Sequence, residues 1–191
     1  MHIADGIIDT RIAIAANAVA VAAIYLSSRK TTMEEIPKMG IIGAALFVAS
    51  LIHIPIAGTS VHPGLYGLVG IILGKRAFPV IFTVILFQSM IFQHGGLLSV
   101  GINAINMGAG ALVAWLIWRQ QALPEYLRAA FAGFIGIIIP VLLMAIEFQL
   151  SGYGRGILYL FSIYIIVAIV EGIVTLSVVK FFRRIKSDIL T

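Results

Sequence analysis

The sequence predicts an all-α, polytopic bundle of transmembrane helices, and three observations carry that expectation. Of the 191 residues, 61% are hydrophobic and only 11% charged, where a soluble domain carries roughly 25% charged residues. The apolar residues fall in continuous runs, as membrane helices require and as the short alternating segments of a membrane barrel do not. Lysine and arginine lie between the runs rather than within them.

Taken in order, the runs and their polar or Gly/Pro breaks predict seven helices, near 12–28, 38–53, 64–74, 77–93, 101–118, 127–149 and 156–182. The first is alanine-rich, with small residues at Ala16 and Ala20 and at Ala18 and Ala22. That spacing admits a close neighbour, from this chain or from another subunit. The third run is short: eleven residues reach about 16 Å, against a hydrocarbon core of about 30 Å. The segment before it, 54–63, therefore dips into the membrane as an inward-folded loop lining an outward-facing pocket. The last two helices carry Glu147 and Glu171. A carboxylate at such depth marks a functional site by default; a hydrogen-bonded pin between helices and an ion or proton relay both remain open. Nothing divides the chain, so 1–191 reads as one domain.

The basic residues orient the bundle. With the N-terminus outside, only Arg11 and Arg155 of the 13 lysines and arginines fall on outer segments. The positive-inside rule then gives N-terminus out, C-terminus cytoplasmic and an odd number of crossings. The net charge of +5 belongs to those flanks, so nucleic acid is not the expected partner. Absence of cysteine excludes disulfides and thiolate metal sites.

In this topology His2, His53, His62 and His94 all fall near the outer face. Neutral imidazole is the commonest side-chain metal ligand. His53 ends a helix at the interface and reads best as structural, and His94, in "QHGG", suits capping as well as ligation. The opening Met1–His2 offers an α-amine, an amide and an imidazole Nδ1 that close two chelate rings on one ion. Taken alone, the pair reads better as an initiator methionine followed by any residue. As a chelate it suits Ni(II), Cu(II) or a constrained Co(II), and His62, in the dipping loop, is the best-placed fourth nitrogen. No basic segment precedes the first apolar stretch, so no signal-peptide cleavage is expected.

Several motifs also resemble one family. "MHIADG" at the start, "GTSVHP" (58–63), "FQHGGLLSVGINAINMG" (92–108), "IEFQLSG" (146–152) and "VEGIVT" (170–175) resemble, in order, segments of the CbiM/NikM family. Its members are the cobalt- and nickel-binding S components of energy-coupling factor transporters. The resemblance covers nearly the whole chain. It implies a seven-helix fold whose N-terminal segment inserts toward the bundle, and metal ligands from the Met1 amine, the His2 amide and imidazole, and the His62 imidazole. Thr59, Ser60, His94, Asn103 and Asn106 are the candidates to support that set. It further implies a transmembrane T component, ATP-binding-cassette ATPases and a small accessory membrane subunit as partners, with Co(II) or Ni(II) as transported substrate, cobalt slightly favoured, and no cofactor. The histidine that many members carry before the glutamate of the last helix is missing from "SIYIIVAIVE".

Two other classes are weighed against a transport subunit. An intramembrane metalloenzyme wants an open coordination position and a nearby base, yet there is no His-Glu-x-x-His and no histidine on the helix of either buried glutamate. A retinal-type receptor wants a lysine deep in a late helix, and Lys180 lies near the cytoplasmic end. No Gly-x-x-x-x-Gly-Lys-Ser/Thr loop is present, so ATP hydrolysis is expected in partner subunits.

Overall fold

The computed structural model describes residues 2–56, 59–153, 157–185 and 188–190, and of Ile56, Thr59, Ser60 and Ile157 the backbone alone. In order the elements are α1 (Thr10–Ser28), α2 (Glu35–Ser50), strands β1 (Ile54–Ile56) and β2 (Thr59–Val61), α3 (Tyr66–Leu73), a 3-10 turn (Gly74–Arg76), α4 (Ala77–Phe92), α5 (Val100–Trp118), α6 (Glu125–Leu150) and α7 (Ile157–Arg184). The fold is all-α apart from the small hairpin. Among the described residues, five helical stretches are long and apolar enough to cross a membrane: α1, α3 through α4, α5, α6 and α7 from Leu158.

Local chemistry sets the helix ends. The Asp9 carboxylate accepts a hydrogen bond from the Arg11 N–H at 2.8 Å, so α1 begins two residues before the apolar run suggests. Glu35 reaches back to the Thr32 N–H at 2.8 Å, which starts α2 before position 38. Helix α2 ends at Ser50 rather than at His53, because the chain turns into β1 ahead of Pro55 and the residue before a proline disfavours helix. His53 is therefore a connecting residue. The dipping loop is more regular than expected: β1 and β2 pair antiparallel, Ile54 opposite Val61 and Ile56 opposite Thr59. Pairing satisfies backbone groups that irregular chain would leave exposed. The predicted start of the last helix, at 156, lies outside the described residues.

Packing centres on α5, which touches α1, α3, α4 and α6. Lipid supplies no hydrophobic drive between helices, so small residues that let backbones meet decide their arrangement. A Cβ on Gly67 would stand 2.3 Å from the Ala132 carbonyl oxygen, and one on Gly70 would stand 2.2 Å from that of Ala111. Gly110 likewise abuts the Gly136 carbonyl, beside Pro140, a proline inside α6. These contacts seat the short α3 between α5 and α6, reaching from the level of Glu171 to the turn at Arg76.

Arg76 closes the end opposite the histidines. It is buried, donates to the Ser27 and Lys30 carbonyls, and pairs with Glu35 at 3.2 Å. It thus ties the end of α1 and the start of α2 to the α3–α4 turn. Ala16 and Ala20, offered at sequence level to either an internal or an external neighbour, are buried with Ala13 inside this chain. Ala18 and Ala22 face outward.

Candidate metal centre

The site begins with the N-terminal segment, which lies over the connection between α4 and α5. Ile3 is fully buried, and its backbone is read like a strand partner by Asn103: the Ile3 N–H donates to Oδ1 at 2.8 Å, and Nδ2 donates to the Ile3 carbonyl at 3.0 Å. Asp5 accepts from the Ser99 N–H and hydroxyl, both at 2.8 Å, and from the Leu98 N–H at 3.2 Å. From α1, Asn17 donates to the Leu98 carbonyl at 2.7 Å and accepts from the Gly101 N–H at 2.9 Å. Asn103 and Asp5 thus hold the segment that presents His2, and Asn17 ties the connection beneath it to α1.

The glycines of "QHGG" are needed for that approach. Gly95 has φ +80°, and a Cβ there would lie 3.2 Å from the His2 Cβ. A Cβ on Gly96 would overlap the Asp5 carboxylate at 1.8 Å. Gln93, at φ 52°, ends α4 in the left-handed region and turns His94 inward.

The four histidines converge. The ring centroid of His2 lies 4.4 Å from that of His94 and 5.2 Å from that of His62. The rings of His62 and His94 are 5.2 Å apart. Ring nitrogens of His2, His62 and His94 lie within 4.8 Å of one another, close enough to share one ion. Both nitrogens of His2 are buried without a hydrogen-bond partner among the described residues. His62 Nδ1 donates to the Pro63 carbonyl at 3.1 Å, which leaves the lone pair on Nε2. That is how a backbone carbonyl fixes the tautomer of a ligating histidine.

Burial holds the imidazoles neutral, helped by the positive amino terminus and by the neighbouring rings. His2 lies well below its ordinary value, His62 is lowered to about 3 and His94 to about 4. Such a cluster offers lone pairs at neutral pH and binds borderline divalent metals through nitrogen.

The two acids of the late helices do not join the cluster through any bond seen here. Glu171 accepts from the Gly64 N–H at 2.6 Å and the Leu65 N–H at 3.1 Å. It caps α3 from across the bundle and fixes the chain just after His62. Glu147 accepts from Asn106 Nδ2 at 2.7 Å. Asn106 is therefore engaged with α6, whereas Asn103 supports the His2 segment directly.

Of the residues singled out in the sequence, His2, His62 and Asn103 meet at one place. His94 takes a more central position than a supporting one. Met1 lies outside the described residues, and Thr59 and Ser60 are placed by their backbone alone. The sequence reading passed over Asp5 and Asn17. An asparagine inside an alanine-rich membrane helix, needing a polar partner in lipid, was the available signal for Asn17.

A family model described as the cobalt uptake substrate-specific transmembrane region, CbiM, matches residues 2–189. The chain belongs to the CbiM family. Among CbiM relatives, a protein of Haemophilus influenzae named for metal transport is 30% identical over all of this chain and 97% of its own length. A fused nickel transport protein NikMN of Archaeoglobus fulgidus is 30% identical over all of this chain and 68% of its own length. A CbiM cobalt transport protein of Geobacter sulfurreducens is 31% identical over all of this chain and 61% of its own length. Two crystal structures of transition metal transporters share the fold, with TM-scores of 0.84 and 0.85 at 23% and 24% identity; they cover 98% and 99% of this chain and 100% and 96% of their own. This CbiM-family chain is accordingly a multi-pass membrane component of cobalt or nickel transport, and its relatives are transport proteins rather than enzymes.

Proposed function

We propose that the chain is the substrate-binding membrane subunit of an energy-coupling-factor-type importer of Co(II) or Ni(II), holding the ion at the histidine cluster. The observation that carries this reading is His2, whose two ring nitrogens are buried beside His62 and His94 without a hydrogen-bond partner among the described residues. Leaving a buried polar group unsatisfied costs about 1–3 kcal/mol, a cost that coordination removes. The Met1 amine, the His2 amide and Nδ1, and His62 Nε2 would form the main nitrogen set, with His94 in reach of an apical position. Cobalt is placed slightly ahead of nickel. The family description names cobalt, while one fused relative is named for nickel.

The driving energy comes from elsewhere, through a T component and ATPase subunits, with a small accessory membrane subunit as a further partner. The fused CbiMQ and NikMN names among the relatives support an assembly with other transport components. The helices cross the membrane seven times, N-terminus out and C-terminus in, as the placement of Arg76, Arg183 and Lys38 at the end remote from the histidines supports. Calorimetric titration of the purified protein tests the site. Wild type should bind one Co(II) or Ni(II) tightly, His62→Ala should lose about 10–100-fold or more, and His53→Ala should retain most of the affinity. Equal losses in the two variants would remove His62 from the ligand set.

A further inference from the structure

The fourth histidine stands outside the trio, yet its placement is not that of an isolated surface residue. His53 is exposed, and its ring centroid lies 5.2 Å from that of His94 and 6.0 Å from that of His62. Its Nδ1 donates to the Leu51 carbonyl at 2.9 Å, so the lone pair is on Nε2. The same device orients His62. Exposure then falls in steps, from exposed His53 through half-buried His94 to the fully enclosed nitrogens of His2. His94 neighbours both ends of this series, 5.2 Å from His53 and 4.4 Å from His2.

We propose that His53 and His94 form an outer, transient position through which a hydrated divalent transition-metal ion is loaded into the inner centre. This rests on the reading of the inner centre as the ion's binding site. An ion arriving from water must shed its hydration shell before it reaches nitrogens with no access to solvent. Two imidazoles at the surface replace two waters first. His94 then remains bound while His2 and His62 displace the rest and His53 lets go. Two imidazoles alone make a weak site, which is what a transfer position requires. Because His94 belongs to both positions, one ion occupies the path at a time. A group that lowers the barrier in both directions leaves the equilibrium unchanged, so the role of His53 shows in rates.

The test is stopped-flow mixing of Co(II) with the purified full chain, alongside equilibrium titration, for wild type, His53→Ala and His53→Gln. Both variants should load about tenfold or more slowly, the scale on which groups beside a metal site act. Release should slow by the same factor and the dissociation constant should stay within about threefold, under 1 kcal/mol. Loading and release at wild-type rates would overturn the outer position while leaving the inner centre intact. Loss of affinity as large as in His62→Ala would also overturn it, making His53 an inner ligand. Wild-type protein that binds no Co(II) tightly would overturn the inner centre and this proposal together.

Discussion

Asn103 shows how a single side chain sets the chemistry of its neighbour. Its amide makes two hydrogen bonds to Ile3 and is almost fully buried, so it positions His2 through the backbone of the next residue. Asn103→Ala should cost about 1–3 kcal/mol of local anchoring and weaken Co(II) or Ni(II) binding by roughly 10–100-fold, read by titration against an unchanged helical spectrum. The imidazoles themselves predict a pH signature. Their lowered values mean that below about pH 6.5 the unfolded chain takes up protons that the folded cluster refuses. Stability of the metal-free protein should therefore fall as pH drops from 7 toward 4, because the unfolded state binds more protons there. Metal binding should differ: between pH 5 and 7 the imidazoles are already neutral, so about two protons per ion, from amine and amide, should be released. Release of four or more at pH 5, measured by titration in buffers of different ionisation enthalpy, would show that the imidazoles titrate normally. Of these residues His2 and His62 were legible in the sequence as candidate donors, chiefly through the family resemblance of their motifs. The centrality of His94 was not, because it depends on the left-handed Gln93 and on two glycines that admit the N-terminal segment.

Helix α3 is the element on which the site rests, and most of its support comes from distant chain. Its start is capped by Glu171, and its sides meet α5 and α6 through Gly67 and Gly70. Gly67→Leu forces a side chain into the α6 backbone, and such overpacking costs typically 1–3 kcal/mol and occasionally more. A lower unfolding temperature in detergent is expected, with metal binding lost as the turn holding His62 shifts; an unchanged melt would show that α3 packs otherwise. Apolar periodicity and breaks placed the helices within a few residues, since each break is local chemistry such as Asp9 or Pro55. The hairpin and the role of Glu171 were beyond that reach, because cross-chain pairing leaves no mark on the spacing of apolar residues. Helix α1 makes the same point. Small residues lie on two of its faces, and packing alone selected the Ala13–Ala16–Ala20 face for this bundle. Ala16→Leu with Ala20→Leu should therefore impair folding of the isolated chain, with loss of yield and helicity as the readout.

At the scale of the whole molecule, the histidines gather at one end and buried Arg76 closes the other. In the proposed orientation the ion would arrive at the histidine end and the motor subunits would meet the Arg76 end. Single cysteines test the orientation without background labelling, since the chain has none of its own. Leu97 and Gln121 are exposed on opposite ends, whereas Ser99 is buried against Asp5 and unsuited to labelling. An impermeant thiol reagent should modify Leu97→Cys in intact cells and spare Gln121→Cys; the reverse pattern would invert the topology. The central claim is that the N-terminal segment carries the metal's main nitrogen donors into the bundle. The most direct measurement is Co(II) or Ni(II) titration of the wild-type chain beside one with a single alanine inserted between Met1 and His2. The insertion enlarges the chelate and moves the imidazole off its place against Gly95, so tight binding should be abolished while a tag after position 191 does no harm. Undiminished binding by the extended chain, with the insertion verified by mass, would contradict the account.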